Sequence, residues 1–306
     1  MEVIGQTNSQ NDAGLIQKGL SHLFELYSVN ITAGEAEMIE MSLSDVILKI
    51  DNELATITLN RPDTLNALSK GVLEGIYEAL NHIEFGEHNI RCLIITGEGR
   101  AFSSGANLSD SMEVGANEDG FPVDVGHQLE LSYHPIMRRL RNLHCPIISA
   151  VNGPCAGAAV GIALSCDLIM AARSSYFLLA FRNIGLVPDC GVTWIVPRLI
   201  GGARARELAL LGEKLHAEKA QEWGLINRVF DDETLMEETE KVARKLAEGP
   251  SGQRFIRQVM WDSLDNNFET QLDLERQTQF QAGQTGDFFE GVNAFLEKRQ
   301  AKFTGK

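Results

Sequence analysis

Most of the familiar catalytic signatures are missing from this chain of 306 residues. Its seven histidines are scattered, with neither a His-Glu-x-x-His pair nor a paired Cys-x-x-Cys, so no metal site is expected. There is no Gly-x-Ser-x-Gly elbow, no Walker loop and no strand-coupled Gly-x-Gly-x-x-Gly. Positive charge is scarce: 27 Lys and Arg stand against 42 Asp and Glu, a net charge of −15. Nucleic acid or an anionic membrane needs a basic face, so neither is expected as the main partner. A small anionic ligand needs only a few local cations and stays open. The five cysteines, Cys92, Cys145, Cys155, Cys166 and Cys190, are odd in number and lack metal-type spacing, which fits a reduced compartment. The N-terminus has no basic region followed by an apolar segment, so no secretory signal is expected and the chain reads as cytoplasmic.

A long uninterrupted hydrophobic run is absent too. The nearest approach, Pro146 to Ala172, is broken by Asn152, Pro154 and Asp167, which argues against a membrane span. The chain as a whole is 44% hydrophobic and 23% charged, as a soluble globular enzyme is, and long enough for one large domain or two smaller ones.

The rest of the chain is read around that same interrupted run. Ile147, Ile148, Ala150 and Val151 read as a short buried strand. Asn152-Gly153-Pro154 ends it, and Gly157, Ala158, Ala159 and Gly161 follow with almost no side chain. An Ala-rich segment after a turn starts a helix whose first amides have no partner inside it. Bare N–H groups at a helix start suit an oxygen gaining negative charge. The same small residues also suit a tightly packed core helix, and taken alone the stretch favours packing.

In chain order, residues 1–44 read as an N-terminal extension of no assigned function, with Ile16, Leu20, Leu23, Phe24 and Tyr27 at roughly helical spacing. Val46 to Leu59 reads as a hairpin turning at Asp51-Asn52. Val72, Leu73, Ile76, Leu80 and Ile83 mark an amphipathic helix, and Cys92 to Ile95 a buried strand. Ala101 to Leu108 is then a second small-residue loop directly after a strand, which makes a two-donor oxyanion hole conceivable. Residues 109–126 read as a mobile surface loop, Leu129 to Leu143 as a helix and Tyr176 to Ala180 as a short strand. A turn over Gly185 to Gly191 leads into a helix near Thr193 to Leu199. From Ala203 the chain is mostly helical, with stops at Gly224 and Gly249-Pro250. Strand and helix alternation followed by helices predicts an α/β core with a helical C-terminal part.

Four segments in order, AFSSGANL, PIISAVNGPCAGAAVGIALSCD, GLVPDCGVTW and EGVNAFLEKR, resemble the enoyl-CoA hydratase/isomerase (crotonase) superfamily from about Val46 to Lys306. Within it, LLAFRNIGLVPDCGVTWIVPR and the C-terminal segment are similar to the 1,2-epoxyphenylacetyl-CoA isomerase type. The resemblance implies a crotonase-like α/β spiral of strand-strand-helix units in residues 45–200, holding an acyl-CoA pocket. It implies oligomerisation, as a homotrimer or dimer of trimers, through helical residues 201–306. The substrate would be an acyl-CoA thioester, with no cofactor beyond the CoA it carries.

Position by position, the resemblance places oxyanion amides at Ala106 and Ala158, with Gly157 beside the second. Asn107, Leu108 and Ser109 would lie along CoA, and Phe295 and Lys298 would contact its nucleotide. The two glutamate positions of the hydratases hold Gly161 and Phe181, so ordinary hydration lacks its acids. Asp189 sits where isomerases of the family place an acid, although a turn aspartate after Pro188 needs no such role. Glu130, Tyr133 and His134 are weaker candidates, more suited to shaping the acyl pocket or facing solvent. The expected activity is an acyl-CoA isomerase that shifts a double bond or rearranges a ring epoxide of a phenylacetyl-CoA-type thioester. A non-catalytic acyl-CoA-binding homologue and a hydratase with a relocated acid are the alternatives.

Overall fold

Apolar alternation fixes the first sheet. In the computed structural model, which describes residues 38–108 and 124–306, three antiparallel strands come first: β1 (Met38–Leu43), β2 (Val46–Asp51) and β3 (Leu54–Leu59). Val46, Leu48 and Ile50 turn inward, and the residues between them are half-buried. The turn between β2 and β3 is at Asp51-Asn52, as the hairpin pattern predicts, with Asn52 left-handed at φ 56°. The extension expected over residues 1–44 therefore overlaps the sheet at its end, because Met38–Leu43 pair with β2 along their whole length. The helical spacing from Ile16 to Tyr27 lies outside the described residues.

From β3 onward the sheet is parallel. It continues through β4 (Cys92–Gly97), β5 (Ile147–Val151) and β7 (Leu168–Ala172) to β10 (Arg228–Phe230), giving the order β1-β2-β3-β4-β5-β7-β10. Every residue of β4 and β5 is buried, as a parallel strand covered on both faces requires. A second sheet joins β6 (Pro154–Ala156), β8 (Tyr176–Leu178) and β9 (Lys214–His216). The strand at Tyr176 thus ends two residues short of the expected Ala180, where the chain turns into a 3-10 segment, Ala180–Ile184.

Helices cover both faces. Helix α1 (Lys70–Phe85) is capped by Ser69, whose Oγ accepts from Val72 N at 3.2 Å. It buries Val72, Leu73, Ile76, Ala79, Leu80 and Ile83 in the main core with Leu93 and Ile95 of β4. Each large aliphatic buried this way stabilises the fold by roughly 1.5–3 kcal/mol. The other pleat of β4, Cys92 and Ile94, faces a smaller core closed by Leu235, Ala243 and Ala247 of a later helix, α8 (Leu235–Ala247). Between β4 and β5 the chain forms α2 (Val125–Gln128), a π-helical turn (Leu129–Tyr133) and α3 (His134–Asn142). The helix expected to begin at Leu129 thus starts earlier and carries a π-turn.

After β6 come α4 (Ala158–Leu164), α5 (Val192–Ile200), α6 (Gly202–Leu211) and α7 (Ala217–Trp223), and then α8. The C-terminal helices are α9 (Gly252–Asp262), α10 (Phe268–Ala282) and α11 (Gly286–Glu297). Along α10 only Thr278 is buried, and Phe268 and Phe280 are 73% and 69% exposed. No helix among the described residues is long and apolar enough to cross a membrane.

Candidate active site

Two loops that follow parallel strands meet beyond the carboxyl ends of β4 and β5. Asn66 and Asn152 fix the turn after β4. Asn66 is fully buried and left-handed at φ 54°. Its amide nitrogen donates to Glu98 O at 2.9 Å and Ala101 O at 2.7 Å, and its Oδ1 accepts from Arg61 N at 2.8 Å. Asn152, leaving β5, donates to Gly97 O and Gly99 O, both at 2.8 Å. The loops are then laced together: Ser103 N donates to Pro154 O at 3.1 Å, and Ala156 N to Ser103 O at 3.0 Å. Two residues beyond the bridged pair, Ser103 and Cys155, stand Gly105 and Gly157.

Both glycines have positive φ, 92° and 56°. A side chain on Gly105 would stand 2.7 Å from Ala156 O and 3.4 Å from Gly157 Cα, so the close approach of the loops depends on its absence. The amides that follow, Ala106 N and Ala158 N, each leave from one of these two facing glycines. Leu68 N donates to Gly105 O and Asn107 N to Leu68 O, a parallel bridge that turns the Ala106 N–H away from Leu68. Ala158 opens α4, where an amide has no acceptor within its own helix. Leu68 O also accepts from the buried Tyr133 hydroxyl at 3.4 Å, which ties the π-turn to the first loop.

Asp189 precedes the residue that packs on α4. Cys190 packs on Gly161, one helical turn from Ala158: a methyl on Gly161 would stand 2.6 Å from Cys190 Cβ and closer still to its carbonyl oxygen. Asp189 is half-buried, and its Oδ1 has no hydrogen-bond partner. Burial pushes its carboxyl above the usual carboxylate range, partly offset by the Cys190 thiol and the charge of His134. Glu130 is the opposite case. Its carboxylate accepts from Arg138 at 2.8 and 3.1 Å and meets His134 Nδ1 at 2.8 Å, and these bonds hold it down at about 2. A carboxylate so occupied is a poor base at neutral pH.

The other expected positions are dispersed. Asn107 is half-buried and Leu108 48% exposed, both continuing from Ala106, while Ser109 lies outside the described residues. Phe181 is buried in the main core. Phe295 is 83% exposed on α11, which Lys298 closes in a left-handed conformation. No hydrogen bond or ion pair among the described residues joins either to Ala106, Ala158 or Asp189. All five cysteines are buried and their thiols are pushed up, Cys145 to about 12, so none is a ready thiolate. Among the described residues no group of His, Cys, Asp and Glu could hold a metal ion.

Sequence reasoning missed Asn66, whose signal was an Asn in the turn that leads into α1, and the contact of Cys190 with Gly161, which leaves no local signal.

The family model for enoyl-CoA hydratase/isomerase matches residues 49–306. The chain is 45% identical to the 1,2-epoxyphenylacetyl-CoA isomerase of Escherichia coli (strain K12), covering 85% of this chain and 98% of that protein. It is 39% identical to a probable enoyl-CoA hydratase of Rhodobacter capsulatus, over 87% of this chain and 100% of the relative. A crystal structure of enoyl-CoA hydratase from Bacillus anthracis superposes with a TM-score of 0.79 at 30% identity, covering 86% of this chain and all of that one. The crotonase-like α/β fold read from the motifs is therefore the fold of this chain.

Proposed function

The chain belongs to the enoyl-CoA hydratase/isomerase family, and from that premise we propose that it is an acyl-CoA isomerase whose base is Asp189. One observation carries this reading. Asp189 is half-buried with Oδ1 unpartnered and precedes Cys190, which packs on Gly161 of α4, while the hydratase acid positions hold Gly161 and Phe181. Relatives of both kinds match at similar coverage, so the side chains must decide between them.

The chemistry follows from the arrangement. The thioester oxygen would accept from Ala106 N and Ala158 N. Asp189 would take a proton from the acyl chain, and the electron pair left behind would pass into an enolate held by the two amides. The same carboxylic acid would return the proton at another carbon, so the double bond moves with no water consumed. Its raised affinity for protons brings it nearer the strength a general base needs at neutral pH. The substrate would be an unsaturated acyl-CoA or a ring epoxide of a phenylacetyl-CoA-type thioester. Asn107, Leu108 and Ser109 would lie along CoA, with Phe295 and Lys298 at its nucleotide. The apolar surface that α10 and α11 leave exposed supports assembly as a trimer or dimer of trimers.

The test compares wild type and Asp189→Asn on a 3-enoyl-CoA and on crotonyl-CoA. The expected outcome is isomerisation by the wild type, a loss on the order of 10²–10⁴-fold in the variant, and retained thioester binding. Near-wild-type turnover in Asp189→Asn would reassign the base, an inactive wild type that binds thioesters would favour a binding homologue, and water addition to crotonyl-CoA would favour a hydratase.

A further inference from the structure

The amide of Ala106 belongs to the Gly105–Ala106 peptide, whose other polar atom is the Gly105 carbonyl oxygen. Leu68 N donates to that oxygen at 2.8 Å. In a planar trans peptide the N–H points opposite to the C=O, so this single bond aims the Ala106 N–H. Leu68 grips the loop a second time, because its own carbonyl accepts from Asn107 N at 3.3 Å. It is 2% exposed and stands directly before Ser69, the cap of α1, so the chain on one side of it is fixed by that helix.

A further hold on Leu68 comes from a distant part of the chain. Its carbonyl also accepts from the Tyr133 hydroxyl at 3.4 Å. A carbonyl oxygen has two lone pairs, so both donors are accommodated. Tyr133 closes the π-turn Leu129–Tyr133, in which the His134 N–H reaches back to Leu129 O. Such turns are rare and are frequent at functional sites. Tyr133, Ile136 and Leu140 are buried at helical spacing, while Leu131 of the same turn is 64% exposed. Packing accounts for the burial of the ring. It does not account for the hydroxyl, which is aimed at a carbonyl that also holds the first loop.

We propose that Tyr133 is a positioning residue: its hydroxyl holds Leu68, and Leu68 holds the peptide that presents the Ala106 amide. This rests on the reading of Ala106 and Ala158 as donors to the thioester oxygen. At 3.4 Å the bond is long beside the roughly 2.7–2.8 Å usual for a hydroxyl donor, so it adds little to the stability of the free protein. Hydrogen bonds that serve catalysis are often long in the free enzyme and tighten around the substrate. The effect of the hydroxyl therefore falls on the polarised thioester rather than on folding.

The experiment compares wild type, Tyr133→Phe and Tyr133→Leu. Phenylalanine removes the hydroxyl and keeps the ring, so it is expected to fold; leucine removes both. The probe is cinnamoyl-CoA isotopically labelled at the thioester carbonyl, an enoyl thioester with no proton that an isomerase could move. Its carbonyl stretch, read in infrared difference spectra, moves to lower frequency as donors engage the oxygen. Thermal melts, and kcat and KM on a 3-enoyl-CoA, are read beside it.

In Tyr133→Phe the band should return part of the way towards that of free cinnamoyl-CoA. Turnover should fall about 3- to 10-fold, the worth of one hydrogen bond, with KM and melting temperature little changed. Tyr133→Leu should lose the same part of the band shift and also melt lower, because it leaves a cavity. A Tyr133→Phe protein equal to wild type in band and kcat would overturn the proposal and leave Tyr133 a packing residue. A lower kcat with an unmoved band would overturn it too, since the hydroxyl would then act elsewhere. Ala158→Pro keeps the two readings apart. If the bound band in wild type matches the free thioester and Ala158→Pro leaves it unmoved, the oxyanion assignment fails and the proposal falls with it. If Ala158→Pro moves the band and Tyr133→Phe does not, only the proposal falls.

Discussion

Arg257 Nε stands 2.7 Å from Asp167 Oδ2, with the arginine side chain only 4% exposed. The same guanidinium donates to Arg141 O at 2.6 Å, Leu143 O at 2.8 Å and Leu140 O, carbonyls at and just beyond the end of α3. Asp167 in turn accepts from Trp261 Nε1 and from Ile147 N, both at 2.8 Å. One buried ion pair thus ties α9 to the end of the helix that carries His134 and to the start of β5. Removing one partner strands the other charge, so Arg257→Ala should cost about 3–5 kcal/mol in urea unfolding. Arg257→Met combined with Asp167→Leu should recover much of that loss. A loss below about 1 kcal/mol in the single variant would mean that the pair does not hold α9.

The buried Asp189 carboxyl has a consequence for stability against pH. Its folded-state affinity for protons is raised above that of the unfolded chain. The folded state therefore binds more protons between the two values, and stability falls as pH rises through that window. The penalty is full above the folded value. Asp189→Asn should remove it, leaving the protein as stable as wild type below the unfolded value of about 3.9 and more stable at neutral pH. Thermal melts of both proteins across pH 3–8 check this, and an Asn variant less stable at neutral pH would contradict it.

For Ala158 the side chain should matter little and the N–H greatly. Ala158→Gly should keep most activity, apart from a helix cost of about 1 kcal/mol. Ala158→Pro deletes the donor at a helix position where proline is tolerated. In a folded protein the lost donor should lower turnover on the order of 10²–10³-fold. Circular dichroism separates folding from chemistry. A folded, fully active proline variant would make α4 a packing element only.

Restoring the first hydratase acid should fail. Every residue of α4 is buried, and a Cβ at Gly161 already meets Cys190 at 2.6 Å. Gly161→Glu should therefore displace the 189–191 turn, destabilise by more than the roughly 1–3 kcal/mol of simple overpacking, and abolish isomerisation. It should add no water to crotonyl-CoA. A stable Gly161→Glu protein with hydratase turnover would show that the turn moves aside without loss.

Local chemistry in the sequence determined a good deal here. The alternation in Val46–Leu59, the apolar runs at Cys92 and Ile147, and the Gly stops at Gly224 and Gly249 locate strands and helices, because side-chain periodicity and turn chemistry act over a few residues. The absence of acids at 161 and 181 is equally plain in the sequence. Strand β1 was missed because MIEMSL looks like the end of a polar tail until β2 pairs with it. Only the tertiary structure decided that Ser103 laces to Cys155 some fifty residues away, which sets Gly105 against Gly157. Only it made a turn aspartate into a desolvated carboxylate, and Cys190 into a left-handed residue wedged on Gly161. Register between distant loops, burial of a charge and strain at a residue with a Cβ are each imposed by the sum of remote contacts, which no short window of sequence contains.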